Sequence, residues 1–409
     1  MYFNVNEMLS AFSFTLDYVE RDMLQDVTNH SRRVAYVAAR IAQRMGFEKE
    51  PLFDLISYAL LHDNGITQSL IDDGTVNIRT LEHNPRHSVA GEKNIIDFPF
   101  FQPRPNVLLY HHENYDGSGA FQKKGEEIPL FSRVIALANC IAVEYGQGRT
   151  PQDIIGLLRA SSALFDPMLL DVLYRLSQNV EFWLNMQPIF VEHELKRLTP
   201  QVYKEFSYQT VRKISQLFSR IIDAKSAFTG EHSRGISEKA GIMSRYYGYD
   251  EDTYWKMRIA ADLHDLGKIM IPNEILDKPG SLSRAEIDVI QSHTYYTRKA
   301  LEGITGFAEI TEWAANHHEK LNGRGYPLGL PAEKLDFNSR LMACIDVYQA
   351  LTEERPYREA LPHEKAIDIL RTMARQNLVQ SSIVDDIDLV LRTVRSEEEL
   401  HKLPKRSKA

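Results

Sequence analysis

Ten of the chain's fourteen histidines fall into two matching sets. The second half carries His232, the pair His264–Asp265, His293, the pair His317–His318, and then Asp346. The first half carries His30, His62–Asp63, His87, His111–His112, and then Asn139 where the aspartate would fall. In both halves 32 residues separate the first histidine from the His-Asp pair, and 24 separate the third histidine from the paired ones. A lone histidine is usually a satisfied core or surface residue. Five in one order and nearly one spacing, twice, require the same elements to present them twice. The repeat therefore predicts two copies of one domain, of which one keeps its closing carboxylate.

With 409 residues the chain has room for both copies. Its 43% hydrophobic and 25% charged content is ordinary for a globular protein. A net charge of −8 argues against a nucleic-acid polymer or a membrane surface as partner, since either needs a broad basic face. It leaves room for a small anion in a locally basic pocket. Two cysteines, Cys140 and Cys344, make no disulfide framework, so a reducing cytoplasm is expected; Cys344 reads as core packing. No secretory leader and no membrane span is read from the sequence.

Helical periodicity dominates. Val211, Ile214, Leu217, Phe218, Ile221 and Ile222 recur at three-to-four spacing, the apolar face of a helix. Thr199 and Pro200 read as its N-cap and first helical residue. Strand-like alternation is nearly absent, apart from a small hairpin expected near Gly323–Leu330. The expected fold is all-α: two helical bundles, residues 1–195 and 200–409, joined by a short helical linker over residues 185–199.

The C-terminal set points to metal chemistry. Imidazole suits iron, zinc, copper and nickel, and carboxylate extends the range to manganese. Five His and two Asp exceed the four ligands of a tetrahedral zinc. They fit two metals sharing a bridging carboxylate, for which Asp265 is the natural candidate. Such a pair, roughly 3.5–4 Å apart, clamps an in-line displacement at phosphorus and activates a water without a Ser or Cys nucleophile. Lys268, Arg298, Lys299, Arg324, Arg355 and Arg358 lie near these ligands in sequence, and an acidic chain that groups cations there is recruiting phosphate. The loop containing Gly323, Gly325 and Pro327 follows the paired histidines, and its Tyr326 is placed to stack on a base.

The segments GEHSRG, LHDLGK, QSH, HHEKLNGRGYP and CIDVYQALTEERPYR together resemble the HD-GYP family of the HD phosphohydrolases, over about residues 205–400. The resemblance implies a helical bundle that hydrolyses cyclic dinucleotides at a bridged iron or manganese centre. Cyclic di-GMP, opened to linear pGpG or GMP, is the first expectation, and 3'3'-cyclic GMP-AMP the alternative. It implies that His232, His264, Asp265 and Asp346 hold one metal, and Asp265, His293, His317 and His318 the other. Lys268 would contact the scissile phosphate, Arg355, Arg358 and Arg324 would bind substrate, and Tyr326 would line the pocket. GGDEF-type signalling partners and a homodimer are compatible with it. An HD hydrolase of another nucleotide and an inactive signalling adaptor remain competing readings, the adaptor disfavoured by the complete ligand set.

Two positions depart from that pattern: Asn322 and Gln349 stand where aspartates are usual. Phe228 stands where some members carry a third-metal glutamate, so two metals are expected. The first half resembles the same fold with an eroded site. Ile66 replaces the lysine, Asn139 the closing aspartate, GSGAF the loop, and Gly148 and Pro151 the arginines; Asp26 lies four residues before His30. Its degenerate set, His30, His62, Asp63, His87, His111 and His112, admits two readings: residual metal or ligand binding, or a structural and dimerising relic. Catalysis is assigned to the second half.

Overall fold

The computed structural model describes residues 2–24, 29–66, 85–96, 98–100, 102–223, 232–354 and 359–402. The chain divides into two compact units, residues 4–204 and residues 205–409 together with 1–3. Both are built from helices. A short strand β1 (Tyr2–Asn4) pairs with β2 (Tyr203–Glu205).

The first unit contains α1 (Val5–Leu24), α2 (His30–Arg44), α3 (Lys49–Leu60), α4 (Arg86–Ile95), α5 (Leu130–Gly146), α6 (Pro151–Ala160), α7 (Pro167–Leu176), α8 (Val180–Leu184) and α9 (Pro188–Leu198). Helix α2 is its centre. Every residue from His30 to Ala39 is buried, as are Ile41 and Ala42. A helix buried on all sides must be packed on all sides, and α1, α3, α5, α7 and α9 surround it. The alanines Ala35, Ala38, Ala39 and Ala42 leave room for those neighbours to approach. Asp166 caps α7 at the Met168 amide (2.9 Å) and pairs with Arg133 (2.6 Å).

The second unit contains α10 (Tyr208–Asp223), α11 (His232–Tyr246), α12 (Glu251–Leu263), α13 (Asn273–Leu276), α14 (Arg284–Leu301), α15 (Ala308–Ala315), α16 (Phe337–Thr352), α17 (His363–Arg375) and α18 (Ser381–Leu391). The predicted apolar stripe of α10 is buried at Val211, Ile214, Leu217 and Phe218. Helix α12 packs against α10, α11 and α15, and α16 closes over α11. Local signals set the helix starts. Ser283 and Glu286 form a capping box on α14, and Asp336 caps α16 at Ser339 while accepting from the Trp313 indole at 2.7 Å.

Two local expectations need correction. Thr199 does not begin a helix; it ends α9, its hydroxyl donating back to the Leu195 carbonyl at 2.6 Å. The next helix starts at Tyr208, because Val202 is hydrogen-bonded to Asn6 and Val5 and the following residues enter β2. The hairpin expected over Gly323–Leu330 is a loop closed by a single antiparallel bridge, Asn322 to Pro331. Among the described residues, no helix is long and apolar enough to cross a membrane.

Candidate metal centres

Five elements of the second unit converge on one buried cluster. His232 opens α11, His264 closes α12, His293 lies within α14, His317 and His318 follow α15, and Asp346 lies within α16. Three of the histidines share one device. The Nδ1 atoms of His264, His293 and His317 hydrogen-bond the carbonyls of Ala261 (2.8 Å), Ile290 (2.7 Å) and Ala314 (2.6 Å), each three residues back. This fixes the ring and turns Nε2 inward as the coordinating nitrogen. The approach of α14 depends on Gly267: a Cβ there would overlap the His293 carbonyl.

The two aspartates span the cluster. Asp265 Oδ2 lies 3.1 Å from His264 Nε2, while Oδ1 faces His293 (3.4 Å) and His317 (3.9 Å). Asp346 Oδ1 lies 3.3 Å from His232 Nε2, and Oδ2 lies 3.6 Å from His318 Nδ1. Two histidine groups with metal-ligand spacing result, His232–His264–Asp265 and His293–His317–His318. Each aspartate reaches a histidine of both.

Electrostatics prepare these side chains for a cation. Burial pushes Asp265 up, but His264, Lys268 and His293 outweigh it and hold the carboxyl well below the usual range. Asp346 behaves likewise, held down chiefly by His232 and His318 against its burial. Burial lowers His293 to about 4 and His318 to about 3, and burial with the neighbouring His318 holds His317 well below its ordinary value, so all three are neutral and able to ligate. His232 differs. Burial would lower it, but hydrogen bonds to Asp346 and Glu353 raise it to about 9. The buried Nε2 of His264 and Oδ1 of Asp265 have no hydrogen-bond partner. Orphaned buried polar atoms are costly, and a cation between them would satisfy both, so the donor set fits a metal.

The predicted cations divide. Lys268 Nζ sits 2.6 Å from Asp265 Oδ2, at the cluster. Tyr326 packs its ring 4.9 Å from His318 and 6.3 Å from His293, at the rim. Arg298 is instead spent on Glu312 and Asn316, and Lys299 on Glu302. Arg324 is exposed on the loop. Arg355 and Arg358 lie outside the described residues, as do Asp26 and Phe228.

Sequence reasoning missed four residues. Glu353 accepts from His232 Nδ1 at 2.7 Å and from Gln349 at 2.9 Å, and Gln349 accepts in turn from Lys239. Glu319 accepts the amides of Leu328, Gly329 and Leu330 at 2.7–3.1 Å and so pins the loop that carries Tyr326. Lys320 is close enough to Asp346 and His318 to affect both, and its desolvation lowers its own pKa. Only Glu319 left a signal, since Glu113 stands at the same offset in the first repeat.

The first unit reproduces much of this. His62 and His111 direct Nδ1 to the carbonyls of Ala59 (2.8 Å) and Leu108 (2.5 Å). Asp63 places Oδ2 at 3.2 Å from His62 and Oδ1 at 3.4 Å from His111 and 3.7 Å from His87. Gly65 plays the part of Gly267 against the His87 carbonyl, and Glu113 accepts the amides of Phe121 and Lys123. Two overlapping groups have metal-ligand spacing, His30–His62–Asp63 and Asp63–His87–His111–His112.

Comparison with known proteins agrees with the duplication. The family model described as HD domain matches residues 19–169 and again 216–383. The chain is 29% identical over 402 residues to 3'3'-cGAMP-specific phosphodiesterase 1 of Vibrio cholerae, covering 94% of this chain and 91% of that protein. It is 34% identical over 161 residues to a cyclic di-GMP phosphodiesterase response regulator of Xanthomonas campestris, covering 39% of this chain and 43% of the relative. In fold it is similar to the crystal structure of a cyclic GMP-AMP-specific phosphodiesterase of V. cholerae, with a TM-score of 0.67 at 23% identity, over 97% of this chain and 99% of the other.

Proposed function

The chain belongs to the HD domain family, and on that premise we propose that its second unit is a metal-dependent phosphodiesterase that opens cyclic dinucleotides. The observation that carries the reading is the pair of aspartates, each facing a histidine of both groups, with Lys268 beside one of them. The donor set calls for two divalent cations, iron or manganese, held by His232, His264, Asp265, His293, His317, His318 and Asp346. When bound, they supply charge stabilisation at phosphorus and an activated water.

The chain's own residues do the rest. Asp265 and Asp346, each facing a histidine of both groups, would hold the two cations. Lys268 offers a cation toward a phosphate at the cluster, where charge develops as the ester bond breaks. Tyr326 presents a ring for a base, on a loop tied down by Glu319. Arg355 and Arg358 complete the phosphate contacts in this reading, as bidentate donors. Water adds across one P–O bond of the ring, giving a linear dinucleotide and, after a second cut, mononucleotides. The first unit is a degenerate copy without phosphodiesterase activity. The reading extends to a cytoplasmic enzyme opposing GGDEF-type partners, with a homodimer as its assembly.

Cyclic di-GMP is the first substrate. A second reading, 3'3'-cyclic GMP-AMP, is favoured by the near full-length similarity to a cGAMP-specific enzyme. Product analysis of manganese- or ferrous-loaded protein with each substrate tests both. Linear products from one or both support the proposal. A fully loaded, folded protein that leaves both intact refutes it.

A further inference from the structure

The eroded unit has not lost its site evenly. Around His30 the changes are severe. Its counterpart His232 meets two carboxylates, Asp346 and Glu353. At the matching positions the first unit has Asn139 and Gly146, neither of which carries charge. His30 Nδ1 is buried with no hydrogen-bond partner. The other half of the site is complete. Asp63, His87, His111 and His112 each offer one ligand atom, and all four atoms lie within 4.8 Å of one another. Asp63 Oδ1 and His111 Nε2 are buried, lie 3.4 Å apart, and have no hydrogen-bond partner. His111 is fully buried.

We infer that the first unit binds a single divalent cation of the zinc class through Asp63, His87, His111 and His112, as a closed structural site. Three imidazoles and one carboxylate make a four-ligand, borderline-soft set that suits tetrahedral zinc. Charge limits the number to one. The second unit sets two aspartates against its cations, and Glu353 supports a ligand from behind. Among the described residues Asp63 is the one carboxylate in the first unit's metal-ligand groups, and a second dication beside it would face a like charge. Two cations of the second unit's cluster also have no charged counterpart at the matching positions. Ile66, buried, stands where Lys268 does, and Asn114 where Lys320 does. What survives is the scaffold of the ligands: the Nδ1–carbonyl bond of His111, the close approach at Gly65 and the Glu113 strap.

The test is metal content and spectroscopy of the full chain, read without reference to hydrolysis. Protein carrying His264→Ala and Asp265→Ala, which empties the second unit, should keep about one equivalent of zinc after exhaustive dialysis. Replaced by cobalt(II), that equivalent should give the intense visible bands of a four-coordinate site. Adding His111→Ala should remove both the metal and the bands. In the otherwise unaltered chain, His112→Ala should lower the content by about one equivalent. This arm decides the matter if the multiply substituted protein does not fold, because His112 is only part-buried. A natively folded protein with no retained metal, or no loss in His112→Ala, overturns the site. Retention of two equivalents, or bands typical of octahedral cobalt, overturns the single closed position. A failure of hydrolysis by the second unit moves none of these readings.

Discussion

Glu353 is the residue whose removal is most revealing. Its carboxylate accepts from His232 Nδ1 at 2.7 Å, with His232 only 5% exposed. Glu353→Gln keeps an acceptor of the same shape and removes the charge. A hydrogen bond to a charged group contributes about 1.5–3 kcal/mol and a neutral one about 0.5–1.5, so the loss is about 1–1.5 kcal/mol. That is near tenfold in metal affinity, at the lower end of the roughly 10–100-fold expected for an outer-shell partner of a ligating histidine. The proton answers to the same bond. His232 sits at about 9 because Asp346 and Glu353 outweigh its burial. Below that pH a metal must displace a proton, so apparent affinity in the parent protein should climb about tenfold per pH unit and level off near pH 9. In Glu353→Gln the break should fall by about one unit, since 1.36 kcal/mol corresponds to one pKa unit. The weaker ligand and the weaker proton hold then offset each other. The defect should be about tenfold above pH 9 and nearly vanish at neutrality. Competition titration of manganese against a chromophoric chelator, from about pH 6.5 to 10, reads this directly. A loss that is the same at every pH, or an unmoved break, refutes the positioning role.

Lys268→Met should keep its metals, because the amine is not a ligand, and lose about 100- to 1,000-fold in kcat, the usual effect of removing a charge-stabilising donor; metal loss in that variant would show that Lys268 mainly stabilises the Asp265 carboxylate. Glu319→Ala strands three loop amides, at a cost of about 1.5–3 kcal/mol in loop order. It should raise KM more than it lowers kcat, and a change confined to kcat would contradict this account of Tyr326. Gly267→Ala forces α14 away from the His-Asp turn. Overpacking of this kind costs about 1–3 kcal/mol, so the melting temperature should drop and metal content should fall with it. An unchanged melting curve would mean that the contact with the His293 carbonyl is not needed.

The amino-acid sequence by itself carried the duplication, the all-helical class and the identity of the inward-facing histidines and aspartates. It could do so because these depend on position along the chain. A ligand next to a helix end, or a fixed number of residues from another, is placed by helical geometry, and a repeated spacing exposes a repeated architecture. The apolar stripe of α10 was legible for the same local reason.

What only the tertiary structure decided was the reach of long polar side chains and the course of the chain between helices. Arg298 and Lys299 neighbour the ligands in sequence, yet each meets a closer carboxylate on the helix surface. Glu353 and Lys320 drew no attention as residues in charged stretches, yet folding brings the first to His232 across 121 positions and the second beside Asp346. Thr199 and Pro200 carry a helix-start signature, but hydrogen bonds from residues nearly two hundred positions away claim the backbone that follows. The uneven erosion of the first unit was equally hidden. Asn139 announced a lost carboxylate, but only the packing shows that Asp63, His87, His111 and His112 still lie within ligand reach of one another. Spacing encodes which residues can share a site; the burial and competition of charges in three dimensions determine which of them do.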